Sequence, residues 1–135
     1  MFGMILLSCL VVIILYTSRI LAIWKIKKIG GTLEAARHAD EFRPMFPKRL
    51  RYITDNYNHI FEQPTLFYAT LIYIFLIDHS DDLHIILAWA YVCLRAIHSI
   101  IQITFNNVAW RVTFFFLSGV CLVTMIIREF LFFWS

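Results

Sequence analysis

The sequence predicts an all-α membrane protein, an antiparallel bundle of four transmembrane helices, and two observations carry that prediction: its composition and the spacing of its apolar stretches. Of the 135 residues, 61% are hydrophobic and 16% are charged, whereas soluble domains average about 45–50% and about 25%. The mean hydropathy is +0.74. Four apolar stretches are each about as long as a helix needs to cross a hydrocarbon core of about 30 Å. We therefore expect one multi-pass domain, residues 1–135, in a lipid bilayer.

The first predicted span covers residues 2–24. Arg19 lies near its end, where the long side chain can extend toward the membrane surface. The span has neither a basic stretch ahead of its apolar core nor a small-residue cleavage site. We therefore expect it to be retained rather than removed as a signal peptide.

A long polar loop separates the first span from the second. Eight of the twelve Lys and Arg residues lie between Lys25 and Arg51. This is the positive-inside pattern of membrane proteins, so the basic charge does not indicate binding to nucleic acid. We place the loop in the cytoplasm and both chain termini on the outer side. Two prolines also predict a turn over residues 43–47.

The second predicted span, residues 60–77, carries Glu62, Gln63 and Pro64 in its first turns. Proline lacks a backbone N–H, so Pro64 is expected to bend the helix or to leave a carbonyl without its helical partner. A short acidic turn, residues 78–82, leads from this span to the third.

The third predicted span, residues 83–105, is apolar apart from a few polar residues. Three of them, Arg95, His98 and Gln102, follow i, i+3, i+7 spacing, which places them on one helix face. The fourth span, residues 112–134, is rich in phenylalanine and ends in an aromatic cluster typical of a membrane interface. Together the four spans predict one antiparallel bundle.

Three polar residues inside the predicted spans need partners: Glu62, Arg95 and His98. A charge in a lipid-facing helix costs about 2.5–3.5 kcal/mol on insertion scales, so such residues normally face the protein interior. Counting from the outer helix ends places all three roughly 18–22 Å inward, at nearly the same depth. An ion pair between Glu62 and Arg95 is the simplest way to satisfy them.

This polar cluster leaves two interpretations open. In the first, the ion pair only fixes helix register and packing. In the second, the cluster forms a polar pocket that opens toward the cytoplasmic leaflet and holds an anionic ligand near Arg111. Asn58 lies four residues before Glu62, on the same helix face, and would line the mouth of that pocket.

Other chemistries lack the residues they need. His98 as a haem ligand would require a second axial side chain at matching depth, and the other histidines lie at span ends or in loops. No His and Glu residues have metal-ligand spacing, and the three cysteines lie in separate spans. No serine has a plausible base beside it. We therefore expect neither a metal nor haem.

Two segments of the chain resemble one known family. The sequence NYNHIFEQP at residues 56–64, followed by LFYA at residues 66–69, resembles the second-helix motif of the membrane-associated proteins in eicosanoid and glutathione metabolism, the MAPEG family. The sequence RAIH at residues 95–98, with Arg111 thirteen residues after the histidine, resembles the third-to-fourth helix region of the same family.

The resemblance implies a homotrimer that binds glutathione, as a co-substrate, between neighbouring subunits near the cytoplasmic face. It also implies that a lipophilic small molecule enters from the bilayer. The arginine matching Arg111 would be catalytic, because a nearby guanidinium lowers the thiol pKa and stabilises the nucleophilic thiolate. The predicted substrate-binding residues are Asn58, Glu62, Arg95, His98 and Gln102.

Departures from the family pattern indicate its bacterial branch. Gln102 stands where active mammalian-type members have a tyrosine, and Val112 and Phe115 stand where some have a serine and a tyrosine. We therefore predict a bacterial inner-membrane protein that activates glutathione for conjugation or peroxide reduction. The alternative is a non-catalytic membrane scaffold or accessory subunit with the same fold. A third hypothesis, a small four-helix exporter, is disfavoured by the long basic loop.

Overall fold

The computed structural model describes residues 1–28 and 48–134, and the side chains of all of these except residues 25–28. The described chain forms four helices: α1 (Phe2–Lys28), α2 (Lys48–Leu76), α3 (Asp82–Ile103) and α4 (Val108–Trp134). The predicted all-helical, four-helix architecture is confirmed. The turn predicted over residues 43–47 lies outside the described residues.

Helix α2 begins at Lys48, well before the predicted start at residue 60. The hydropathy pattern marks where the chain enters the membrane, whereas the helix itself continues into the polar segment. Leu50, Ile53 and Asn56 are buried ahead of Ile60, at spacings close to one or two helical turns, so one face of this extension packs against the bundle.

Three of the described helices contain segments long and apolar enough to cross a membrane: Phe2–Trp24, Asp82–Ile103 and Val108–Trp134. Helix α2 is more polar, because it combines its apolar half with the extension from Lys48 to His59. The chain is therefore a multi-pass membrane protein in which α2 carries much of the polar character of the bundle.

Two tight turns reverse the chain between α2 and α3 and between α3 and α4. Asp78 and Asn106 adopt positive φ angles of 54° and 48°, a conformation that Asp and Asn tolerate better than most residues. Asp81 caps α3 by accepting a 2.8 Å hydrogen bond from the backbone N–H of His84. Asn107 accepts in the same way from the N–H of Ala109, at 3.1 Å, at the start of α4.

The closest packing joins α3 to α4 and α1 to α2. At the centre, the rings of Phe67 on α2 and Tyr91 on α3 stack with centroids 4.3 Å apart. Helix α1 approaches α3 at Gly3, where a Cβ atom would lie 3.2 Å from a Val92 methyl group. Large apolar side chains are exposed on every helix, as expected where the neighbour is lipid or another subunit.

The bundle has two ends, which differ in the groups they bury. The terminal end holds Met1, the α2–α3 turn and Trp134. The loop end holds the end of α1 at Lys28, the start of α2 at Lys48 and the α3–α4 turn.

Candidate functional site

The polar cluster in the loop-end half is built around Arg95 of α3. Its side chain is 1% exposed and is among the largest fully buried side chains of the described residues. The Nη2 group donates a 2.6 Å hydrogen bond to the backbone carbonyl of His59 on α2. The guanidinium also lies over the ring of Phe115 on α4, 5.3 Å from its centroid, within cation–π range. Arg95 therefore links three helices.

Pro64 removes one hydrogen bond from the ladder of α2. Proline has no N–H to donate to the carbonyl of Ile60, one helical turn earlier. Arg95 binds a different carbonyl, that of His59, so it does not replace the missing donor. Helix α2 continues through Pro64.

The predicted ion pair between Glu62 and Arg95 is wrong. The Glu62 side chain is 61% exposed, and its Oε2 lies 3.3 Å from Nδ1 of His59. Glu62 projects from the surface of α2 and does not reach Arg95. His59 connects them indirectly, because its carbonyl binds Arg95 while its imidazole contacts Glu62.

His98, one turn after Arg95, is 3% exposed. Its Nδ1 lies 2.9 Å from the backbone carbonyl of Arg111. A carbonyl only accepts, so Nδ1 carries the proton, and in a neutral ring Nε2 is left as an acceptor. That Nε2 atom is buried without a hydrogen-bond partner. His98 is therefore fixed in orientation, with its second ring nitrogen inside the bundle and Gln102 within interaction range.

Arg111 lies at the start of α4, where its side chain is partly exposed. Its Nη1 donates a 2.8 Å hydrogen bond to the side-chain oxygen of Asn106 in the α3–α4 turn. This bond uses one of the five guanidinium N–H groups. The other guanidinium N–H groups donate no hydrogen bond to a described residue.

Phe115 forms the apolar wall shared by these polar groups. Its ring centroid lies 6.3 Å from that of His59 and 5.7 Å from that of His98. The two imidazoles meet edge to face with centroids 6.4 Å apart. Phe115 follows Arg111 by four residues, so both side chains lie on one face of α4.

Several buried polar atoms in this half of the bundle have no hydrogen-bond partner among the described residues. A buried donor or acceptor left unsatisfied costs about 1–3 kcal/mol, so such groups are rare in native structures. The atoms are Arg95 Nη1, His98 Nε2, and both amide atoms of Asn56 and Gln102.

The MAPEG family model matches residues 3–131 of the chain. The chain belongs to the MAPEG family. Comparison with curated proteins gave no match, and neither did comparison with solved structures. Family membership confirms the resemblance drawn from the two motifs, and it covers all four helices of this MAPEG protein.

Four of the six predicted site residues of this MAPEG protein take part in two groups of contacts. Arg95 and Glu62 both contact His59, through its carbonyl and its imidazole, and His98 contacts the backbone carbonyl of Arg111. Asn58 is exposed on α2. Gln102 is fully buried within interaction range of His98, but neither of its amide atoms has hydrogen-bond geometry to a described partner.

Three residues of the site were not predicted: His59, Asn56 and Phe115. His59 was assigned to a span end because the hydropathy pattern predicted that the second span begins at residue 60. Asn56 opens the family motif, so its place in the sequence signalled its role, but its burial depended on the unpredicted extension of α2. The sequence analysis considered Phe115 only as a phenylalanine in place of a tyrosine of the family. Its spacing from Arg111 already placed the two side chains on one helix face.

Proposed function

We propose that this MAPEG protein binds glutathione at the loop end and activates its thiol for reaction with a lipophilic small molecule. The observation that carries the proposal is that a partly exposed Arg111 is joined through its backbone carbonyl to His98, in a buried polar cluster that holds donors and acceptors without partners among the described residues. An anionic peptide requires both basic side chains and hydrogen-bonding groups around it. Glu62, at the mouth, is suited to an ammonium group, and Arg95 and His98 form the inner wall.

The chemistry that follows uses Arg111 as an electrostatic group. Its guanidinium favours the thiolate over the thiol, and the thiolate is the nucleophile. In conjugation, the sulfur forms a C–S bond with an electrophilic carbon, and the displaced electron pair departs with the leaving group. In peroxide reduction, sulfur attacks the peroxide oxygen, the alcohol departs, and a second glutathione converts the sulfenic acid to a disulfide and water.

Location and assembly form part of the same proposal. The family resemblance supports a homotrimer in a bacterial inner membrane, with the substrate entering from the lipid. Exposed apolar side chains on every helix are consistent with contacts to lipid and to other subunits. In this arrangement the exposed Asn58 and Glu62 would face a neighbouring subunit across the glutathione site.

A second function has a specific observation in its favour. Arg95 already joins α2, α3 and α4 through a carbonyl and an aromatic ring, and the family's hydroxyl positions are apolar at Val112 and Phe115. Both features suit a non-catalytic scaffold or accessory subunit in which the buried polar groups hold the helices together.

Titration of the purified protein with glutathione, followed by thiolate absorbance in the ultraviolet, distinguishes the two functions. We expect a saturable signal that disappears in Arg111→Ala. Arg19→Ala is the matched control, because Arg19 is an exposed arginine on α1 that makes no contact with the cluster; it should retain the signal. Absence of binding by the unmodified protein at millimolar glutathione would favour the scaffold.

A further inference from the structure

The tight turn between α3 and α4 is built on Asn106, one of two non-glycine residues with a positive φ angle among the described residues. Its φ is 48°, in the left-handed region that glycine adopts without strain. The backbone N–H of Asn106 donates a 2.8 Å hydrogen bond to the carbonyl of Ile101 in the last turn of α3. Non-glycine residues held in such conformations cluster at functional sites, so the side chain of Asn106 calls for an explanation.

That side chain binds Arg111. Oδ1 of Asn106 accepts a 2.8 Å hydrogen bond from Nη1 of Arg111. The backbone of Arg111 is held as well, because its N–H donates to the carbonyl of Asn107 at 3.1 Å and its carbonyl lies 2.9 Å from Nδ1 of His98. A long side chain loses much rotamer freedom when it is ordered. The turn therefore fixes both the backbone and the guanidinium of Arg111.

The group that holds Arg111 is neutral, in contrast to the group that holds the other arginine of α4. Arg128 donates to both carboxylate oxygens of Asp81, at 3.1 and 2.6 Å. A carboxylate in contact with a guanidinium offsets most of its charge, whereas an amide oxygen accepts the hydrogen bond without a net charge of its own. The contact with Asn106 therefore orients the guanidinium of Arg111 and preserves its positive charge.

We propose that Asn106 is a positioning residue, which fixes the guanidinium of Arg111 in the glutathione site through a neutral hydrogen bond. This inference rests on the proposed function, since it assigns a further residue to the same site. A charged group stabilises a developing or bound anion best when it is already oriented before the reaction. Asn106 acts through Arg111 and takes no part in proton transfer or in bond formation at sulfur.

The rate at which phenylglyoxal modifies Arg111 tests the contact itself, in the full chain in a non-ionic detergent without glutathione. Asn106→Gly deletes the amide but keeps a residue that adopts a positive φ. Peptide mass spectrometry should show that the rate at Arg111 rises about threefold or more, because a hydrogen bond to a charged group is lost. Asp78→Gly is the matched control, since Asp78 is exposed and is the positive-φ residue of the other turn. It should leave the rate at Arg111 unchanged. An unchanged rate in Asn106→Gly would overturn the proposal.

The pH profile of the thiolate absorbance of bound glutathione tests the neutrality of the contact. Asn106→Asp keeps the shape and the accepting oxygen but adds a negative charge. We expect the midpoint of thiolate formation to rise by about one pH unit or more, because the carboxylate offsets the charge of Arg111. Asn107→Asp adds the same charge one residue later, where the side-chain oxygen accepts from the N–H groups of Ala109 and Trp110. This control should shift the midpoint by less than half as much.

Two results of the pH profile would also overturn the proposal. An unshifted midpoint in Asn106→Asp would mean that the charge of Arg111 does not act on the thiol, as when a neighbouring subunit already neutralises it. Equal shifts in Asn106→Asp and Asn107→Asp would indicate a general effect of added charge and not the contact with Arg111. If the unmodified protein formed no thiolate at millimolar glutathione, the proposed function would fail, whereas the phenylglyoxal experiment would still decide whether Asn106 positions Arg111.

Discussion

The two ends of the bundle bury charges of opposite sign, and neither buried charge is compensated by the nearest formal counter-ion. At the loop end, Arg95 is bound by a backbone carbonyl and an aromatic ring, while Glu62 remains at the surface. At the terminal end, Glu129 meets two imidazoles, while Arg128 is engaged at the surface by Asp81.

This difference between formal pairing and actual contacts has a physical basis. Burying both members of an ion pair requires the desolvation of two ions, a penalty that can exceed their mutual attraction. A carbonyl dipole and a π face satisfy the buried charge of Arg95 without that second penalty.

The largest effect on stability is expected from truncating Arg95. Arg95→Ala removes a hydrogen bond and leaves a cavity beneath Phe115, so we expect the free energy of unfolding to fall by about 3 kcal/mol. Arg95→Met should recover more than half of this loss, because it fills the same volume without a charge. Denaturant unfolding in mixed micelles measures both variants.

Arg19→Ala is the control for Arg95, since it removes an arginine from the exposed face of α1 and should change stability by no more than about 0.5 kcal/mol. If Arg95→Ala were as mild as this control, the carbonyl and ring contacts would not be what holds α2, α3 and α4 together.

A smaller effect is expected from Glu62→Gln. Because Glu62 is exposed and contacts only the imidazole of His59 among its described neighbours, its neutralisation should change the free energy of unfolding by about 0.5 kcal/mol or less. Glu62→Gln and Arg95→Met should be additive within about 0.5 kcal/mol. A coupling energy above about 1 kcal/mol between the two substitutions would instead show that Glu62 and Arg95 form the ion pair that the structure lacks.

The Glu62 result shows what the sequence could and could not predict. Hydropathy located all four helices, because apolar length is a property of local sequence. It also placed Glu62, Arg95 and His98 at one depth, since helical rise depends only on residue count. The rotation of α2 relative to α3 depends on packing between helices, and so the sequence could not show that Glu62 faces away from Arg95.

The terminal end was harder to predict for a related reason. His79, His84 and Glu129 are separated by a turn and by most of two helices, so no spacing rule brings them together. Arg128 and Glu129 are adjacent in the sequence, but their side chains diverge in the structure, Arg128 toward Asp81 and Glu129 toward His79 and His84. Only the packing of α4 against the α2–α3 turn reveals that one of these two adjacent charges is buried.

The smallest effect is expected at Asp81, on the surface of the terminal end. Hydrogen bonds from the Arg128 guanidinium and from the backbone N–H of His84 hold the pKa of Asp81 well below its usual value of 3.8. A carboxyl whose pKa is lowered by folding stabilises the protein above its unfolded pKa, and this contribution disappears as the pH falls through the folded pKa. Asp81→Asn keeps a side chain that can cap α3, and it removes the charge together with one of the two oxygens that accept from Arg128. Its unfolding temperature should lie slightly below that of the unmodified protein at pH values near neutrality, by an amount that shrinks below about pH 4. A difference that persisted unchanged in acid would mean that the charge of Asp81 does not contribute to stability, and an ion pair with Asp81 would then not explain why Arg128 is turned away from Glu129.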